Sequence, residues 1–179
     1  MYKFVLLLLL LLPLTCLARD WQVDMAKSTL TFSGTYQSGP FTGKFRKFDA
    51  AISYDEADLS KSKFDVKIDV TSVDTQSSER DDTLRTADFF DTAKYPQAHF
   101  VTDSFERDGA GVLAKGTLTI RETSKPVMLK VQFAASAAGT TLDVDTTLNR
   151  LDFGLGTSND WADIGKDIGV HGHLLLTAK

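Results

Sequence analysis

From Leu30 to Leu176 the chain repeats one pattern: apolar residues at every second position, interrupted by turn residues. Leu30, Phe32, Gly34 and Tyr36 alternate with threonines and serine. Phe64, Val66, Ile68 and Val70 alternate with Asp65, Lys67 and Asp69. The same spacing recurs in Val112–Ile120, in Val127, Leu129, Val131 and Phe133, in Leu142, Val144, Thr146 and Leu148, and in Ile168–Leu176. A period of two puts the apolar set of each segment on one face of a strand. The segments are separated by Ser38-Gly39-Pro40, Asp108-Gly109-Ala110-Gly111 and Ala138-Gly139-Thr140, which carry hairpin chemistry. Between Phe41 and Tyr54 the apolar phase slips by one, from Phe41, Gly43 and Phe45 to Phe48, Ala50, Ile52 and Tyr54. The slip predicts a bulge near Arg46-Lys47.

One segment departs from this pattern. Ser77–Arg85 reads as a short helix, with acidic residues in its first turn and Ser78 and Asp81 spaced as a capping box with Asp in place of Glu. Asn149–Lys166 is a second irregular stretch. The expected fold is mainly β, with about eight antiparallel strands and one or two short helices. A sheet of that size with one apolar face must curl into a barrel or pack on a second sheet. An eight-stranded barrel either fills its interior or holds one small ligand. Both choices stay open on periodicity alone.

The N-terminus is of another kind. Lys3, seven leucines from Leu6 to Leu12, and the small residue Ala18 form the n-region, h-region and cleavage point of a secretory signal peptide. The apolar run is shorter than the roughly 20 residues that span a bilayer. Cys16 as a lipidation site is disfavoured, because Pro13-Leu14-Thr15 fits a lipobox poorly. Residues 1–18 are thus expected to be a signal peptide, and residues 19–179 one exported domain of about 160 residues, periplasmic in location. Cys16 is the sole cysteine, so the mature domain has no disulfide and no thiolate metal site. With a net charge of −4 and no basic block, a nucleic-acid partner is disfavoured. Nothing in the chain fixes the oligomeric state, a homodimer included.

Several blocks together resemble a known family. They are Ser72-Val73-Asp74-Thr75, then Arg80-Asp81 through Leu84-Arg85 to Asp88-Phe89-Phe90-Asp91, then Tyr95-Pro96 and Phe100. Trp21-x-Val23-Asp24, Gly43-x-Phe45-x-x-Phe48, Gly116-x-Leu118-Thr119-Ile120 with Lys125-Pro126, and Asn149-Arg150-x-Asp152-Phe153-Gly154 extend the likeness along the mature chain. The sequence is similar to the YceI-like family. The resemblance implies a single lipocalin-like barrel, hollow and usually periplasmic, around an elongated isoprenoid lipid such as a quinone or a polyprenyl pyrophosphate. Some members occur beside membrane b-type cytochromes. A non-enzymatic accessory or stress-related module partnering such a cytochrome is therefore the alternative to a carrier.

On that footing the inward, ligand-facing set is expected to include Phe32, Phe64, Val66, Ile68, Leu118, Ile120, Leu129, Val131, Phe133, Leu142 and Val144. The charges Arg80, Asp81, Arg85 and Asp88 either pin the helix across a barrel end or ring an opening. In the second reading Arg85 holds the polar head of the ligand, since guanidinium pairs with phosphate in a fork. Arg150 and Asp152 carry the same two readings. His171-x-His173, with His99 elsewhere, has the spacing of metal ligands on a strand face but no third ligand nearby, so exposed strand histidines are expected. No G-x-S-x-G or H-E-x-x-H is present, Gly154-Leu155-Gly156 lacks a Rossmann context, and Asp143-Val144-Asp145 lacks the rest of a calcium loop. A binding protein without catalytic residues, metal or cofactor other than the lipid is the expectation.

Overall fold

A computed structural model describes residues 19–109 and 111–178, so the signal-peptide reading of residues 1–18 and the lipidation question at Cys16 lie outside the described residues. The elements in chain order are β1 (Arg19–Val23), β2 (Thr29–Tyr36), β3 (Gly39–Phe45), β4 (Phe48–Tyr54), β5 (Lys63–Asp69), β6 (Val73–Asp74), α1 (Ser78–Arg85), β7 (Gln97–Asp108), β8 (Gly111–Ile120), β9 (Thr123–Ser136), β10 (Gly139–Asn149) and β11 (Asp167–Ala178). The antiparallel ring runs β1-β4-β5-β7-β8-β9-β10-β11 and closes where Val23 pairs with Leu176. This is a closed eight-stranded barrel, not a sandwich. Closure leaves no free edge around the ring.

The first two long strands are each broken once. β1 and β2 flank a 3-10 turn at Met25–Lys27 capped by Asp24, and both pair with β11. β3 and β4 flank Arg46-Lys47, where the strand breaks outright instead of bulging as expected; a bulge-like register shift falls at Thr102–Ser104, between β7 and β8. The break turns Phe45 and Phe48 both inward, so neither half of the strand exposes its apolar set. Its backbone is caught from outside: Arg46 N–H donates to the Ser72 carbonyl (3.2 Å), Lys47 N–H to Ser72 Oγ (3.0 Å), and Asp69 N–H to the Lys47 carbonyl (3.1 Å). Beyond the break, β2 and β3 extend as a hairpin whose outer edge carries β6. Two glycines make room for aromatic rings: a side chain at Gly43 would overlap Phe32, and one at Gly116 would sit 2.7 Å from the Phe100 ring.

The helix forms where expected, but its cap lies one residue earlier. Ser77, not Ser78, accepts the Arg80 N–H, at 3.4 Å. Asp81 reaches past the cap to Thr75, accepting its N–H (2.8 Å) and its hydroxyl (2.6 Å). The capping-box reading fails because the carboxylate finds two donors on the approach to the helix and is consumed there.

Asp74 of β6 secures the same approach. It accepts the Gln76 N–H (3.1 Å) and meets Arg46 (2.9 Å) and Lys44 (3.7 Å). The Gln76 N–H, then Arg46, hold its carboxyl below the usual range. A depressed carboxylate pKa contributes stability that is fully present above the unfolded value of about 4 and lost as pH falls through the folded value. Parent protein should therefore lose melting temperature on acidification below about pH 4. Asp74→Asn should be less stable at neutral pH and flatter across that range. Parallel curves for the two proteins in a melting series from pH 6 to 3 would contradict this role.

Candidate functional site

The barrel interior is packed at one end and open at the other. Phe105, Val112, Ala114, Val131 and Leu176 fill the first end, with Trp21, Tyr54 and Phe133 packed against them, and Ile52, Phe64 and Leu142 of the same cluster form the floor of the open end. Tyr54 and Phe133 stack at 4.1 Å, and Phe64 meets Phe105 edge-on at 4.9 Å. A second cluster holds Val70, Phe89, Phe100, Leu118, Ile120, Phe153 and Leu155. Val66 and Leu129 touch both clusters and mark the waist. A cavity of about 440 Å³ occupies the interior, within the range of small-molecule sites.

Nine of the eleven apolar residues expected to face inward line this cavity: Phe32, Phe64, Val66, Ile68, Leu118, Ile120, Leu129, Leu142 and Val144. Val131 and Phe133 face inward as expected, but their depth corrects the expected place on the cavity wall. Both belong to the packed end, Val131 at 3% exposure, and neither is on the cavity wall. Period two fixes the face of a strand but not the depth along it. β9 spends Val127 and Leu129 on the cavity and the rest of its inner face on the packed end.

Arg85 is the second correction. Its guanidinium donates to the Thr71 and Val73 carbonyls (3.3 and 3.2 Å) and to Asp82 (3.0 Å), and it does not line the cavity. It straps α1 to β6 and to the turn before it. Asp82 is the reason for its direction: three residues apart, the two share a helix face turned from the opening. Arg80 lines the cavity instead, its guanidinium carbon 5.2 Å from the Phe41 ring centre. The cap residue Ser77 and Glu79, Arg80, Thr83 and Leu84 of α1 line the cavity. The i, i+4 relation of Arg80 to the apolar Leu84 was the sequence signal that could have identified it.

Further parts of the wall come from Phe89 and Phe90 after α1, from Phe41 and Tyr36 near the β2–β3 turn, and from the 150–164 stretch through Phe153, Leu155, Trp161 and Ile164. Arg150 organises that stretch. It is 6% exposed, and all five of its N–H groups go to carbonyls: Nε to Gly165, Nη1 to Leu155 and Gly156, Nη2 to Trp161 and Ile164. Burial lowers its pKa from the ordinary value. Asp152 is exposed, and Asp88 accepts the Trp161 indole N–H at 3.0 Å. The segment after α1 and this stretch are therefore joined at the cavity wall.

The histidines lie apart from the cavity. His171 and His173 sit opposite Asp145 and Asp143 across the β10–β11 pair, at 2.8 and 2.5 Å, while His99 pairs with Asp65 on β5 at 2.8 Å. Among the described residues no group of three or more His, Cys, Asp or Glu is arranged to hold a metal ion.

Residues 21–175 match the YceI-like domain. Protein YceI of Escherichia coli is 44% identical over 90 residues, which cover 50% of this chain and 47% of that protein; the match thus spans about half the length of that curated relative. The crystal structure of Burkholderia cenocepacia BcnA superposes with a TM-score of 0.81 at 29% identity, covering 87% of this chain and 99% of that one. A structure described as a polyisoprenoid binding domain from Saccharophagus degradans, implicated in plant cell wall breakdown, shares the fold at 20% identity and a TM-score of 0.62, covering 90% and 99%.

Proposed function

The chain belongs to the YceI-like family, and from that premise we propose that it is a periplasmic carrier that holds one elongated isoprenoid lipid, a quinone or a polyprenyl pyrophosphate, inside its barrel. The observation that carries this reading is the cavity itself: about 440 Å³ walled by aromatic and aliphatic side chains from across the ring. Such a wall offers few partners to a polar substrate and continuous contact to a hydrocarbon. A prenyl chain burying on the order of 600 Å² of apolar surface gains roughly 15 kcal/mol gross. Association and ordering costs of about 4–15 kcal/mol leave an affinity weak enough for exchange. The polyisoprenoid binding described for the Saccharophagus degradans domain agrees with this ligand class. No catalytic residue, metal or cofactor is needed for the role, and export with removal of residues 1–18 would place the protein where membrane lipids must cross water.

Transfer between vesicles tests the proposal. Donor vesicles carry a fluorescent prenyl quinone, and acceptor vesicles carry a quencher. A carrier moves the probe at a rate that rises with protein concentration. Probe that is taken up but never delivered favours the accessory module beside a b-type cytochrome, with the lipid structural. No uptake at all, by protein first stripped of lipid with solvent and refolded, contradicts both.

A further inference from the structure

We propose that Arg80 grips acceptor oxygens on the polar head of the bound lipid, and that α1 thereby sets the head-group preference of the site. The proposal rests on the reading that the cavity takes a prenyl chain. Two guanidinium groups line the cavity, Arg80 and Arg150. Arg150 has no donor left, since each N–H meets a carbonyl. Arg80 is the reverse case. Among the described residues its side chain makes no hydrogen bond or ion pair, and its guanidinium carbon lies 5.2 Å from the centre of the Phe41 ring. A cation–π contact of this kind uses none of the guanidinium N–H donors. The group is thus half-buried on the cavity wall with its donors unspent.

Its position breaks a local rule. Arg80 is the third residue of α1, where a cation opposes the helix dipole and where Glu79 and Asp81 are the favourable residues. Sequence choices that oppose local stability collect at functional sites. The neighbouring acids do not neutralise it: Asp81 is taken by Thr75, and Asp82 by Arg85. Glu79 also lines the cavity, exposed and beside Arg80. Two kinds of head share the chemistry that fits: the oxygens of a pyrophosphate, which a guanidinium can bind as a fork, and the carbonyls of a quinone, which take one bond each.

Three probes with one tail separate these terms: geranylgeranyl pyrophosphate, a geranylgeranyl naphthoquinone, and geranylgeraniol. Affinities are compared in the parent, Arg80→Ala and Arg80→Lys. Arg80→Ala should weaken the pyrophosphate about tenfold or more, the quinone by a smaller factor, and the alcohol by less than about twofold. Arg80→Lys should recover the pyrophosphate in part, because charge returns without the fork. An equal loss for all three probes would make Arg80 a structural part of the helix and overturn the inference, as would no change for any of them. Parent protein that binds none of the probes would remove the carrier reading itself, which is a different result from binding without head preference.

Discussion

Val66→Trp is expected to abolish uptake of a prenyl lipid while leaving the barrel folded. Val66 stands at the waist, touching the clusters on both sides, and keeps part of its surface on the cavity. An indole there projects into space that a hydrocarbon chain must pass. Overpacking of this kind costs about 1–3 kcal/mol, against a typical stability of about 5–15 kcal/mol. For a domain of this size that lowers melting by roughly 2–12 °C. Loss of binding in a displacement assay, with an unchanged far-UV spectrum, supports a continuous internal site. Parent-like binding by a folded Val66→Trp protein would place the ligand elsewhere. A charge at Val131 makes a poorer test, because the packed end would have to bury it and the fold itself would fail.

Arg150→Met should have the largest effect on stability. Methionine keeps much of the apolar stem but takes the guanidinium donors from five carbonyls, of which only that of Trp161 keeps a backbone partner, the Ile164 N–H. Stranding buried acceptors in this way costs about 3–5 kcal/mol after the segment relaxes, or roughly 6–20 °C in melting temperature. Amide hydrogen exchange should rise first in residues 150–165, which this side chain gathers. Arg150→Lys should restore only part of the loss, since an ammonium has three donors and no planar fork. A loss below about 1 kcal/mol would show that the segment is held by its other contacts.

The barrel was legible because alternation is a direct image of a one-sided strand. The phase slip at Arg46-Lys47 located the break between β3 and β4 for the same reason: a residue out of phase must change face or change direction. Depth along the barrel was not legible. Leu129 and Val131 are equivalent in pattern, yet one walls the cavity and the other packs beneath it. The choice between Arg80 and Arg85 turned on which helix face looks inward. Leu84 marked that face, but two nearby arginines with nearby acids read alike until their partners were placed. Arg150 was obscure for another reason. Its partners are all backbone carbonyls, which any sequence supplies, so no pattern of residue types announces them.

Native mass spectrometry of the protein purified from its own host, followed by organic extraction, is the most direct measurement. The hollow-barrel account expects a single lipid per chain, released by solvent and carrying the repeating fragments of a prenyl tail. A bare chain that also fails to take up geranylgeraniol or the naphthoquinone on incubation would contradict it.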